Sequence, residues 1–458
     1  MNRTATLAVL TAALLATTAC GKASDLPASA TYGADVKLTA PDPDGPIPTL
    51  NPAKAVGWPA NGAPVAPAGF TVTRFAEGLA HPRWLYLLPN GDVLVVESNS
   101  PPRKKKGITD LVAGWMMKRG GAGVASPNQI TLLRDADGDG KPEVKSAFLK
   151  GLNSPFGVSL VGETLYVGNT DSVMAFPYTA GATAITAAGS KVVDLPANAP
   201  NNHWARNLLA SPDGTKLYVT VGSDSNIAEG GIEAEKNRAN ILELTLATRT
   251  LRVFASGTRN PNGLAWEPVT GALWTTVNER DMLGNDLVPD YMTSVKDGGH
   301  YGWPWSYYGQ HVDSRVQPQR PDMVAKAIVP DYALGAHTAS LGLAFWPAWA
   351  GLPECGVAGC APMAVNTERY VGGAFVGQHG SWNRKPVSGY KVVFVPFKAG
   401  KPSGPAEDFL TGFLDAKGQA LGRPAGVAFD RTGALLVADD VGNVVWRVAA
   451  VAAPAAPN

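Results

Sequence analysis

Asn202-His203-Trp204-Ala205-Arg206 and Thr258-Arg259-Asn260-Pro261-Asn262-Gly263 each lead straight into an apolar strand, a tight turn and a second apolar strand. After the first loop, residues 208–210 and 217–221 flank the turn Ser211-Pro212-Asp213-Gly214. After the second, residues 264–266 and 273–277 flank a turn at 268–271. The figure returns after Pro82-Arg83-Trp84, after Ser154-Pro155-Phe156-Gly157 and after Gly422-Arg423-Pro424-Ala425-Gly426. A weaker copy begins at Leu341, its second strand displaced to about 370–376. Asn-Gly and Asp-Gly turns between runs of Val, Leu, Tyr and Phe mark two-stranded hairpins, and their return every few tens of residues marks a repeat architecture. Six such units with no helix-period segment between them predict an all-β chain, a six-bladed β-propeller with loop insertions, which leaves few exposed sheet edges. A pair of β-sandwiches is the alternative, but it gives no reason for one loop type to precede every hairpin.

In such a ring His203 and Arg259 stand at the same end of two related hairpins. A general base and a fixed cation then face one shared mouth, the minimum apparatus for removing a hydride from an alcohol. The 458 residues could hold two or three ordinary domains, yet one six-bladed ring can use nearly all of them. A formal net charge of +1 leaves no basic field to displace phosphate counterions, which argues against a nucleic-acid partner. The basic cluster Arg103-Lys104-Lys105-Lys106 lies in a Gly-rich insertion with Lys118 and Arg119. It reads as a solvated loop, with a docking patch for a redox partner as the alternative.

Arg3 followed by the apolar run 5–16 reads as an export signal, too short for a permanent anchor. Cleavage is expected between Ala19 and Cys20, making residues 1–19 the signal peptide. Cys20, followed by Gly21, resembles the lipidated first residue of bacterial lipoproteins, although Thr17 stands where that pattern has leucine. Residues 20–67, rich in Pro, Ala and Gly, are expected to tether a catalytic propeller of residues 68–450 to a membrane surface, in the periplasm or at the outer membrane. Cys355 and Cys360 are expected to form a local disulfide in that oxidising setting. No Cys-x-x-Cys-His occurs, so the chain carries no covalently attached c-type haem.

The segment from Asp135 to Glu143 places aspartates at 135, 137 and 139 with Gly140 in the sixth place, the oxygen spacing of a calcium loop. Ser146 holds the twelfth place, where a bidentate glutamate belongs. Calcium held by Asp135, Asp137, Asp139 and Glu143, or a plain acidic turn between two strands, are both open.

The segments around His203, Arg259 and Arg423, with Val277-Asn278-Glu279-Arg280-Asp281 and Trp303-Pro304-Trp305, resemble the glucose and sorbosone dehydrogenase family, exported propeller enzymes that use pyrroloquinoline quinone. The resemblance runs from about Phe70 to the C-terminus and is closest to the sorbosone dehydrogenase branch between Asn201 and Gly309. It implies that His203 is the base and that Arg259 and Asn260 hold the quinone. It further implies that Arg423 and Arg384 supply cationic contacts, and that main-chain oxygens of Asp281 and Met282 hold a calcium ion. The implied substrate is a small sugar or aldehyde, with electrons passing to a separate acceptor, a cytochrome or a quinone. Three departures set the chain apart from the glucose branch. Asn202 replaces an aspartate, Asp281-Met282 replaces a Gly-Pro pair, and an early glutamine has no counterpart, Asn153 being in the nearest loop.

Trp303, Trp305, Tyr307 and Tyr308 read first as blade packing and second as a wall of the sugar pocket. Two other functions fit a propeller of this kind. A calcium-dependent lactonase or esterase would hydrolyse lactones with no electron acceptor, and a non-catalytic extracellular binding propeller would keep its affinity after His203→Ala.

Overall fold

The computed structural model describes residues 23–42, 50–102, 108–347 and 367–451. Among them, six antiparallel sheets follow one another around a ring. Blade 1 consists of Pro82–Leu87, Val93–Glu97, Gln129–Arg134 and Val144–Leu149, and blade 2 of Val158–Val161, Thr164–Gly168, Ser172–Pro177 and Ser190–Asp194. Blade 3 consists of Leu208–Ala210, Lys216–Val221, Asn240–Thr245 and Thr250–Ser256, and blade 4 of Asn260–Trp266, Leu273–Asn278, Pro289–Ser294 and Tyr332–Ala336. Ser340–Phe345, Ala374–Gln378, Lys391–Val395 and Glu407–Leu410 form blade 5. Blade 6 takes Pro424–Phe429, Leu435–Asp439 and Val444–Ala450 from one end of the chain. Its fourth strand, Phe70–Ala76, comes from the other end, with Phe70 opposite Ala450, and closes the ring.

Each hairpin read from the sequence is the inner pair of a blade. The loops preceding the hairpins are alike for a steric reason. Gly157, Gly263, Gly342 and Gly426 each sit where a Cβ would run into the next blade, at Asn207-Leu208, Leu341-Leu343, Ala425-Val427 and Arg83-Trp84 respectively. A side chain there would push neighbouring inner strands apart, so the ring closes tightly only with glycine at this point. Between blades the space is filled by aromatic rings: Trp274 meets Phe345 and Phe397 edge-on, and Trp346 and Phe375 meet Phe429. Each such buried side chain contributes about 2–3 kcal/mol.

The structure corrects three readings. The described part of 20–67 is no free tether. Tyr32–Gly33 adds a fifth strand to blade 4, the Tyr32 hydroxyl donates to Gln378 Oε1 at 2.7 Å, and Trp58 donates to Asp439 Oδ2 at 2.6 Å while packing edge-on against Trp446. These anchors are single aromatic residues too widely spaced to give a periodic apolar face. The Gly-rich insertion, expected to be loop, contains the helix Ile108–Arg119, masked in the sequence by Gly114 and by the lack of an apolar stripe. In blade 5 the second strand is Ala374–Gln378, and residues Thr367–Tyr370 form a 3-10 turn. The signal segment, Cys20, Arg103 to Lys106, Cys355 and Cys360 lie outside the described residues. No helix among the described residues is long and apolar enough to cross a membrane.

Candidate active site

Loops that enter the inner strands and loops that leave the second strands emerge on one face of the ring. There they enclose a cavity of about 510 Å³, within the size range of small-molecule sites. His203, Arg259, Asn260, Asp281 and Arg423 all line it, so the imidazole and the guanidinium, 56 positions apart in the chain, do share one mouth. His337 lines it as well.

His203 is held by its Nδ1, which lies 2.7 Å from the Ser223 carbonyl oxygen and 3.0 Å from Ser223 Oγ. A carbonyl can only accept, so the proton belongs on Nδ1 and the basic lone pair on Nε2. Gly222 makes this placement possible, because a Cβ there would overlap Asn260 Oδ1 and lie 2.5 Å from His203 Cβ.

Arg259 is buried, and each of its nitrogens has a partner. Nε donates to the Asn226 carbonyl at 3.2 Å, Nη1 to the Glu279 carbonyl at 2.5 Å, and Nη2 to Asn226 Oδ1 at 2.9 Å and Asp281 Oδ2 at 3.2 Å. Asn226, which the sequence reading missed, is the hub of this arrangement; its Oδ1 also accepts from the Asp281 N–H at 2.9 Å, and its carbonyl from Trp303 Nε1 at 3.0 Å.

Asp281 Oδ1 accepts from Asn383 Nδ2 at 2.8 Å and lies 3.6 Å from His337 Nδ1. Burial alone would raise this carboxyl. The neighbouring His337 ring, the Arg259 charge and the Asn383 amide outweigh burial and hold it down to about 2. Burial likewise opposes a charge on His337, but Asp281, the Gly284 carbonyl and Asp290 move it above the ordinary imidazole value. Asp290 goes the other way: burial pushes it up to about 6, against N–H bonds from Ser340 and Glu279. Two further acceptors on wall residues, Glu279 Oε1 and Asn383 Oδ1, are buried behind the surface and have no hydrogen-bond partner among the described residues.

Several expected site residues stand elsewhere. Arg384 does not reach the cavity; it is fully buried, paired with Asp286 Oδ1 at 2.8 Å and donating to the Asn285 and Pro386 carbonyls. Arg423 lines the cavity with its guanidinium laid across Tyr390, donating to the His379, Gly380 and Gly120 carbonyls. Met282 is exposed and is not part of the wall. The main-chain oxygens of Asp281 and Met282, expected to hold calcium, each accept from Arg315 Nη1 at 3.0 Å, and that of Asp281 accepts from Asn226 Nδ2 too. A dication does not fit oxygens already covered by a guanidinium. Trp303, Trp305, Tyr307 and Tyr308 are buried packing residues, and the aromatic residue on the cavity wall is instead the half-exposed Trp382, joined there by Met116 and Met117 of the helix. Asp135, Asp137, Asp139 and Glu143 bring their ligand atoms within 4.8 Å of one another, a cluster that could hold a metal ion, at the opposite face of the ring from the mouth.

The TrAA12-like family model matches residues 64–289 and 316–450. The chain belongs to the TrAA12-like family. Among curated relatives, this TrAA12-like protein is 28% identical over 256 residues to an uncharacterised protein of Borreliella burgdorferi, covering 56% of this chain and 62% of that one. It is 24% identical over 178 residues to the aldose sugar dehydrogenase YliI of Escherichia coli, covering 34% and 46% respectively. The chain thus matches less than two thirds of the length of either relative. Among solved structures, the holo pyranose dehydrogenase PQQ domain of Coprinopsis cinerea aligns with a TM-score of 0.64 at 20% identity, over 86% of this chain and 99% of that one. A calcium structure of the AA12 enzyme of Trichoderma reesei gives 0.65 at 19%, over 88% and 99%. The PQQ-bound aldose sugar dehydrogenase of Streptomyces coelicolor gives 0.51 at 16%, over 84% and 100%. At these identities the likeness establishes the shared propeller fold.

Proposed function

We propose that this protein is an oxidoreductase that oxidises an aldose or a related sugar aldehyde, sorbosone-like in size, with pyrroloquinoline quinone as cofactor. The observation that carries the proposal is the meeting of His203, Arg259 and Asn260 in one cavity. Relatives named as sugar dehydrogenases support it. The wall suits a planar carboxylated quinone: Asn260 and Arg423 would hold it, Arg259, whose N–H groups are engaged by the protein, would set a fixed positive charge beside it, and Gly222 leaves room for His203 and Asn260 to stand side by side.

When bound, pyrroloquinoline quinone supplies a two-electron acceptor, the chemistry that no protein side chain here provides. His203 takes the proton of the substrate hydroxyl at Nε2 as the adjoining carbon gives up its hydride, the Ser223 carbonyl steadying the imidazolium through Nδ1. Arg259 keeps a fixed positive charge in the cavity floor, its geometry set by Asn226 and Asp281. A lactone or acid leaves, and the electrons pass on to a separate acceptor. Export, with Cys20 as a lipidated anchor, completes the proposal.

The experiment is reconstitution of the purified protein with pyrroloquinoline quinone and a panel of aldoses and sugar aldehydes, following an artificial dye. Sugar-dependent dye reduction is the expected result. Cofactor that binds but supports no reduction across the panel would overturn the reading.

A further inference from the structure

We infer that Arg315 is a built-in cation that does the work a calcium ion would do at the 281–282 loop, so that the quinone binds without a divalent ion. The inference rests on the cofactor reading above and goes beyond it. The observation is geometric: one nitrogen, Arg315 Nη1, lies 3.0 Å from both the Asp281 and the Met282 carbonyl oxygens. With Asn226 Nδ2 also donating at 3.2 Å, the Asp281 oxygen has both lone pairs in use. A calcium ion needs oxygens at about 2.4 Å that no cation already occupies.

The guanidinium is fixed from behind. Asp313 grips it with both oxygens, at 2.8 Å to Nε and 2.7 Å to Nη2. Asp313 is in turn held by the fully buried Arg280, which also donates to the Pro304 and Ser306 carbonyls and to Glu279. Met282 has a φ of 68°, a conformation that a side chain disfavours, and the two pinned carbonyls on either side of that turn hold it there. The same loop supplies the Asp281 carboxylate to Arg259, so Arg315 acts on the cavity as a positioning residue. Asp313 and Arg315 fall between the two stretches matched by the family model, in residues that the shared pattern does not include.

The test is the dissociation constant of pyrroloquinoline quinone, read by quenching of protein fluorescence, in excess EDTA and in excess calcium. A calcium ion bound at the remote Asp135 cluster would change melting temperature, whereas this readout follows the mouth. The wild-type protein is expected to bind equally in both. Arg315→Ala, by freeing both carbonyls, is expected to bind about tenfold more weakly in EDTA and to regain affinity when calcium is added. Arg315→Lys, which keeps a charge at that point, covers the case in which the alanine variant does not fold, and is expected to stay independent of calcium. Wild-type binding that disappears in EDTA and returns with calcium would overturn the inference, as would Arg315→Ala behaving like wild type in EDTA. Absence of binding in both buffers would overturn the cofactor reading itself, and the inference with it.

Discussion

On the turn face of the ring, Asp213 accepts from Ser211 and Thr215, Glu267 from Val269 and Thr270, and Asp430 from Thr432 and Ala434, each carboxylate closing the loop it belongs to. On the mouth face, Arg259 reaches Asn226 across 33 positions, Asp281 reaches Asn383 across 102, and His337 approaches that same carboxylate from the end of blade 4. Polar residues on the first face stabilise turns; on the second they tie blades to one another around the cavity. The comparison teaches that the two faces should respond differently to the same kind of substitution. Mouth variants should lose activity, and turn variants stability.

The strongest test is His203→Ala. It should cost about 10³-fold in kcat for sugar-dependent dye reduction while leaving quinone affinity intact, and a loss of quinone affinity of the same size would break the assignment of His203 as base. Next comes Gly222→Ala, whose added methyl forces His203 and Asn260 apart. A displacement near 1 Å costs on the order of 10²-fold in rate, with the melting temperature as the control that the blade is intact.

Asp281→Asn sharpens the contrast through pH. The folded carboxyl sits at about 2, below its ordinary 3.8, so its stabilisation is complete above the ordinary value and is lost as pH falls from about 4 through 2. That shift corresponds to about 2 kcal/mol. The gap in melting temperature between wild type and variant should therefore close on acidification through that window. A gap that stays constant to pH 2 would contradict the depressed value.

The smallest effect on rate belongs to Asp430→Ala on the turn face. It removes the acceptor of the Thr432 and Ala434 N–H groups and of Arg447 Nε, and should lower stability by about 1–2 kcal/mol with kcat unchanged.

The same division explains what could be read in advance. Turn chemistry is local, so the hairpins of five blades and the ring they build were legible, and with them the shared end of His203 and Arg259. The repeat marked the loop of Arg423, and the family resemblance marked the residue itself. Cross-blade pairing leaves no local trace, which hid Asn226, the approach of His337 to Asp281, and the cover that Arg315 gives the 281–282 carbonyls. Arg384 misled because residue type says nothing about direction: its side chain turns to Asp286 instead of the cavity. Trp382 follows the second strand of blade 5 as Asp281 follows that of blade 4, a positional signal that repeat alignment alone would have recovered.

The pairing of Phe70–Ala76 with Val444–Ala450 gives the molecule a fastener whose two halves are made at opposite ends of synthesis. The earlier half must wait, unpaired, for nearly the whole remaining chain to emerge, and every residue of the mouth between blades 3 and 6 is translated before the ring can be clasped. Closure is thus the last step that chain order allows, and loss of either half would leave the other as an open sheet edge.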